Sequence, residues 1–283
     1  MQNVAENEPA MRAGRAGPFV WPRKVDLFGL GMSVTTYDEA VGATLRAAAE
    51  GVPGMVSCQA VHAVVTATGD PDLLEKANAF DLVTPDGQPV RWAMNLLHGA
   101  RLTERVYGPE LMIRLCRGAA TASIPIYLYG GSPDVAQRLP DSLRGLFPDL
   151  RIVGTESPPY RALTPEEDAA LVERIRASGA RLVFIGLGCP KQDLFAYQHR
   201  QSIDAVQVCV GAAFDFHAGA KKMAPAFMQR NGLEWLYRLS QEPSRLWKRY
   251  LVTNSIFLAK FAGAMWHRRR SGSGKRRRTI SRA

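Results

Sequence analysis

The residues best suited to chemistry fall in one stretch, residues 181–195, which reads RLVFIGLGCPKQDLF. Leu182-Val183-Phe184-Ile185 is a short apolar run without alternation, the pattern of a strand covered on both faces. Gly186 and Gly188 follow, so the backbone can turn tightly and leave its N–H groups bare. Pro190 stands where a helix would start, a position where a missing N–H costs nothing, and Lys191, Gln192 and Asp193 occupy the first turn. Bare N–H groups, the positive end of a helix and a lysine converge there, which suits a phosphate. A dinucleotide fingerprint needs a third glycine where Lys191 stands, so the loop points to a phosphorylated ligand other than NAD. A plain strand-to-helix turn with an exposed lysine fits the same residues, and both readings stay open.

The elements that must position this loop alternate along the chain. Apolar runs predict strands within 25–34 and over 54–57, 80–83, 124–129, 151–153, 182–185 and 205–210. Helical periodicity fits 37–50, 59–68, 71–78, 89–98, 110–120, 133–146 and 165–177. Strands alternating with helices predict an α/β fold, with a Rossmann-like parallel sheet and helices on both faces. Ligands of such sheets bind at the carboxyl ends of the strands. Ser57, Asp86, Gly130-Gly131, residues 188–192 and residues 211–215 all sit at such ends, so these separated segments should meet on one rim.

The 283-residue chain carries a net charge of +10, but the charge is unevenly spread. Residues 241–283 hold twelve Lys/Arg against one acid, Glu242, which leaves the rest of the chain at −1. A nearly neutral body with a basic tail argues against a core that reads nucleic acid and for electrostatic contact with an anionic surface. Cys58, Cys116, Cys189 and Cys209 show neither a CxxC pair nor a metal spacing and read as thiols of a reducing compartment. No stretch has the length and apolarity of a signal peptide or a membrane span. The reading is a cytoplasmic protein, peripheral on a membrane. Its plan is a disordered tail over 1–24, a catalytic domain over 25–235, a membrane-associating helical appendage over 236–267 and a disordered basic tail over 268–283. Within the appendage, Trp235, Leu236, Trp247, Tyr250 and Leu251 interleave with Arg238, Arg245, Lys248 and Arg249, as in an interfacial helix.

Six motifs occur in order: TPDGQPVRW (84–92), YGPELM (107–112), YLYGGSP (127–133), GLGCPKQD (186–193), VGAAFDFHAGAKKMAP (210–225) and GLEWLYRLSQEPSRLWKRYLVTN (232–254). Together they closely resemble the WecG/TagA/CpsF family of bacterial glycosyltransferases, over about residues 25–261. The resemblance implies inverting, metal-independent transfer of a hexose-type sugar from a UDP-sugar to a polyprenyl-pyrophosphate-linked saccharide. Such transfer serves cell-surface or exopolysaccharide synthesis at the inner face of the bacterial cell membrane. It also implies core domains that self-associate. The UDP-sugar is a substrate, so no cofactor is expected.

Direct displacement needs a base for the acceptor hydroxyl and groups that stabilise the leaving diphosphate. On its residues alone Asp86-Gly87 reads as a turn pair; the resemblance implies that Asp86 is the base. The resemblance also marks Gln192 as functional, against a plain helix-capping role. Gly130-Gly131 is a second candidate phosphate or ribose cradle, and Asp215 a candidate ribose or uracil contact; ordinary turns fit both places. Gly188, Pro190 and Lys191 complete the phosphate loop. Arg238, Arg245 and Arg249 are candidates to close over a pyrophosphate, against a solvated or lipid-facing stripe.

Where family members carry a Thr-Pro-Asn-like run, this chain has Ser57-Cys58-Gln59, so Ser57 and Gln59 are candidate sugar contacts that leave donor identity open. Asp70-Pro71-Asp72 lies between helices and reads as a helix start, and the five histidines show no ligand spacing, so no metal is assigned. The competing reading is a non-catalytic nucleotide-binding module whose tail contacts nucleic acid or a partner.

Overall fold

The computed structural model describes residues 19–278, and for Ala226, Arg245 and residues 271–278 the backbone alone. Residues 1–18 and 279–283, the outer parts of the two expected tails, lie outside the described residues. The body begins earlier than the sequence suggests. Phe19 and Trp21 meet edge to face, 4.9 Å between ring centroids, and pack on the core, because rings this large gain by burial. A hairpin of β1 (Lys24–Leu27) and β2 (Leu30–Ser33) follows as its own two-stranded antiparallel sheet. Its turn at Phe28-Gly29 has positive φ at both residues, and Leu27, Leu30 and Met32 are buried beneath it.

Then come α1 (Tyr37–Glu50), β3 (Gly54–Gln59), α2 (Val61–Ala67), α3 (Pro71–Asn78), β4 (Leu82–Pro85), α4 (Gln88–His98) and α5 (Gly108–Thr121). The second half holds β5 (Ile126–Gly130), α6 (Pro133–Leu146), β6 (Ile152–Glu156), α7 (Pro165–Ala177), β7 (Leu182–Gly186), α8 (Lys191–Gln198) and β8 (Val206–Cys209). Local chemistry sets several starts. Thr36 with Glu39 and Thr164 with Glu167 form capping boxes for α1 and α7. Asp70 caps α3 through its side chain, so the Asp70-Pro71-Asp72 run is a helix start.

The second sheet has six strands in the order β4-β3-β8-β7-β5-β6, all parallel. Strand β7 shows why it is buried on both faces. Val183 and Ile185 enter one apolar cluster, Leu182 and Phe184 the other, and all four are fully buried. Each such side chain contributes about 1.5–3 kcal/mol relative to exposure. The α/β reading therefore stands. The chain leaves the sheet at the β4 edge and returns at β5, and β7 and β8 later fill the gap. That reversal is where such sheets open a crevice at their carboxyl ends.

After β8 come the short helices α9 (Ala213–His217) and α10 (Ala226–Arg230), then α11 (Glu234–Gln241) and α12 (Pro243–Arg278). The last two lie on the body. Phe257 of α12 is buried against Phe28, 5.4 Å between ring centroids, and Lys260 Nζ donates to Thr68 O at 3.2 Å. The basic run from residue 268, expected to be disordered, continues the helix to Arg278. Among the described residues, no helix is long and apolar enough to cross a membrane.

Candidate active site

Strand β4 lies at the sheet edge, and Asp86 follows its last residue, Pro85. The Asp86 N–H donates to Gln59 O at 3.3 Å, and its Oδ2 accepts from Gly108 N, at the start of α5, at 3.2 Å. A Cβ on Gly108 would lie 3.4 Å from Asp86 Oδ2 and 3.3 Å from Val210 O, so a side chain there would press on the carboxylate and on the end of β8. Asp86 is half-buried. Burial pushes its carboxyl up to about 6; Arg105 and Arg238 pull against that, and Glu234 adds to it.

Glu234 and Arg238 come from α11, which starts two residues before the expected appendage boundary at 236, so the appendage counted from Glu234 forms part of this site. Glu234 is 7% exposed; one carboxylate oxygen accepts from Arg105 Nη2 and the other from Arg238 Nη2, both at 2.7 Å. Arg105 Nη1 donates to Asp86 O at 3.3 Å, and Arg238 Nη2 donates to Tyr107 Oη at 3.2 Å. The Arg105 guanidinium lies over the Tyr107 ring, 4.3 Å from its centroid. Sequence reasoning did not select Arg105, Tyr107 or Glu234. The YGPELM and GLEWLYR motifs contain the last two, but nothing in the sequence pairs Arg105 with a residue 129 positions away.

The central strands hold a second cluster. Ser57 Oγ donates to Asp193 Oδ1 at 2.6 Å and accepts from Gln59 Nε2 at 2.8 Å. Ser57 is 1% exposed with its hydroxyl engaged on Asp193, so its structural task is to hold that carboxylate. Burial pushes the Asp193 carboxyl up, against the hydrogen bonds from Ser57, Cys189, Gln59 and Cys209. Asp193 ends the GLGCPKQD motif, and nothing local in the sequence marks it as a partner of Ser57. Pro190 follows a cis peptide bond and precedes α8, so Lys191 and not Pro190 is the first helical residue. Lys191 is exposed, and Gly188, at φ +76°, has open space where a side chain would be. Gln192 is buried alongside Gly211, its Oε1 3.3 Å from where a Cβ on Gly211 would sit.

Asp86, Gly108, Val210, Gly211 and Gln192 therefore form one continuous line of neighbours, and the expected rim exists on this side. The other expected members differ. A Cβ on Gly130 would lie 2.6 Å from the Gly186 backbone, and one on Gly131 2.7 Å from Val135. Gly131 N already donates to Gly186 O at 3.1 Å, so this pair answers to close packing and its second N–H is not bare. Asp215 Oδ2 pairs with Lys221 Nζ at 3.0 Å, and the same ammonium reaches Glu242 Oε1 at 3.2 Å. Asp215 thus helps tie the appendage to the body.

The model of the glycosyl transferase WecG/TagA/CpsF family matches residues 25–271, most of the chain. The chain belongs to that family. It is a glycosyltransferase of cell-surface polysaccharide synthesis. In this glycosyltransferase, four of the buried side-chain atoms without a hydrogen-bond partner belong to rim residues, Gln59 Oε1, His62 Nε2, Gln192 Oε1 and Arg238 Nε; others, such as Thr68 Oγ1 and Gln207 Oε1, lie elsewhere. Such atoms are costly to bury, and those on the rim are available to a ligand that completes their bonding. Burial first, then Arg249 and Arg238, hold the His62 imidazole down at about 3, so it stays neutral and Arg249 is placed on this side of the rim. The side chain of Arg245 lies outside the described residues. His217 Nε2 lies 2.9 Å from Pro109 O and joins α9 to α5. Among the described residues, no group of three His, Cys, Asp or Glu is disposed to hold a metal.

Proposed function

We propose that this glycosyltransferase moves a hexose-type sugar, with inversion, from a UDP-sugar to a polyprenyl-pyrophosphate-linked saccharide. Asp86 is the base. It takes the proton of the acceptor hydroxyl as that oxygen attacks the anomeric carbon. The bond from that carbon to the diphosphate oxygen breaks, and UDP leaves with the electron pair. Lys191, Arg238 and Arg249 meet the charge on the leaving diphosphate, and no step is routed through a metal. Gln192, Gln59 and His62 supply unpaired polar atoms for sugar or nucleotide hydroxyls.

The observation that carries this reading is the carboxylate at the end of β4, half-buried and pushed up to about 6, beside the docked arginines. A base is most effective when its proton affinity lies near the working pH. The test is a panel of UDP-sugars against a prenyl-pyrophosphate-linked acceptor, with a chelator present, read by mass spectrometry. Product that appears without metal and vanishes in Asp86→Asn supports the reading. Undiminished transfer by Asp86→Asn removes Asp86 as base.

The same reading seats α12 on the anionic cytoplasmic face of a bacterial membrane. Trp247, Leu251 and Leu258 are 48%, 62% and 64% exposed, and their spacing puts them on one side of the helix. Lys248 and Arg268 to Arg270 are exposed on the same helix. Flotation with anionic vesicles should be strong at low salt and weaken as salt rises.

A further inference from the structure

The reading of Asp86 as base leaves Glu234 without a task, yet Glu234 is among the few buried charged residues of the described part of the chain. It sits between two cations, 2.7 Å from each guanidinium, and burying it is tolerable because each carboxylate oxygen accepts from its own guanidinium. Both cations also border Asp86. Arg105 reaches the Asp86 carbonyl, and Arg238 bonds Tyr107, the residue before Gly108, whose N–H holds the Asp86 carboxylate.

The geometry points to Glu234 as a positioning residue for the base: it clamps Arg105 and Arg238, so that neither guanidinium closes onto the Asp86 carboxylate. The cluster then holds two cations and two anions and is neutral when Asp86 is ionised. With Glu234 neutral, the same cluster carries one excess positive charge, and Asp86 becomes the sole anion for both arginines. Its grip on a proton weakens, and with it its strength as a base. The other groups facing Asp86, Cys58, Tyr37 and Tyr107, are held in their neutral forms by burial and do not alter this balance. Because Glu234 and Arg238 belong to α11, docking of the appendage sets the proton affinity of a residue on the sheet.

This inference rests on the assignment of Asp86 as base, but its test does not. The carboxyl carbon of Asp86, labelled with 13C and assigned by its loss in Asp86→Asn, is followed by NMR against pH in the full-length protein. The wild-type midpoint should lie at about 6. In Glu234→Gln it should fall by about one unit, and in Glu234→Asp, which keeps the charge, it should stay. In Arg105→Gln it should rise, and the double variant Glu234→Gln/Arg105→Gln should return it towards the wild-type position. A role confined to holding the helix would leave the midpoint in place or move it alike in the Gln and Asp variants, and either result overturns the clamp. If Glu234→Gln does not fold, an unmoved midpoint in Arg105→Gln overturns it as well. Retained transfer in Asp86→Asn would sink the base assignment alone, while an unmoved midpoint would sink the clamp alone.

Discussion

Along the strand ends, the half formed by β4, β3 and β8 and the half formed by β7 and β5 are filled differently. In the first half, Gln59 Oε1, Arg238 Nε and Gln192 Oε1, which reaches across from α8 to Gly211, are buried without partners, and the Asp86 carboxyl is pushed up to about 6. In the second half, glycines close the space. Gly130 lies on the Gly186 backbone, Gly186 lies under the Phe214 ring and Gly131 lies on Val135, each with under 3.0 Å for an added Cβ. Both halves carry the sequence signature of a ligand loop, glycine between strand and helix. What separates them is the state of their polar atoms, unpaired in one and engaged in the other.

The sharpest way to break this contrast is Asp86→Asn. With Asp86 as general base, transfer should drop by about 10²–10⁴-fold, measured as turnover at saturating donor. The same substitution carries a stability signature. An unfolded aspartate releases its proton near 3.8, native Asp86 near 6. Between those values the native state binds more protons than the unfolded one, so this group lowers wild-type stability as pH rises through the window. Asn bears no such charge. Asp86→Asn should therefore be the more stable protein above pH 6, by up to about 2 kcal/mol after allowance for partial solvent exposure. The gap should close as pH falls to about 4, as read by urea midpoints at the two extremes.

Next in size is a pair of glycines two residues apart. A Cβ on Gly186 would meet the Phe214 ring at 2.6 Å, whereas one on Gly188 would meet nothing within 4 Å. Gly186→Ala should therefore cost about 1–3 kcal/mol of stability through overpacking. Gly188→Ala meets no neighbour but must hold φ at +76°, which strains the loop proposed to meet the diphosphate. Its effect should appear chiefly as weaker UDP binding by titration calorimetry. If the two variants lose stability and affinity in equal measure, the boundary between a closed and an open half is drawn in the wrong place.

This boundary explains how much was legible in the sequence. The parallel sheet could be read because runs such as Leu182-Val183-Phe184-Ile185 have a local signature, and the rim position of Asp86 and Gln192 because they stand in motifs that follow predicted strands. The packed role of Gly130 could not be read, since its reason is the backbone of Gly186, on a strand that enters the sheet much later. Ser57 poses the same problem: its hydroxyl looks free until Asp193, 136 residues on, is placed beside it. Glu234 and Arg105 are a third case, an ion pair between the first turn of α11 and the loop before α5, 129 residues earlier. Helix α9 and the Phe19-Trp21 contact went unread for a plainer reason, being too short to show periodicity.

The smallest expected effect tests the open half most directly. Gln192 is 4% exposed and its Oε1 has no partner, so in the free protein this amide is desolvated without return. Leucine has nearly the same volume and no polar atom. Gln192→Leu should then leave thermal stability unchanged or raise it by up to about 1 kcal/mol, because an unpaired buried acceptor is gone. Donor affinity should move the other way, weakening about fivefold for one lost hydrogen bond of about 1 kcal/mol. The two signs must oppose one another if the atom exists for a ligand. A Gln192→Leu protein that lost stability and kept its donor affinity would show that the amide is bonded within the fold, and Gln192 would then belong with the closed half.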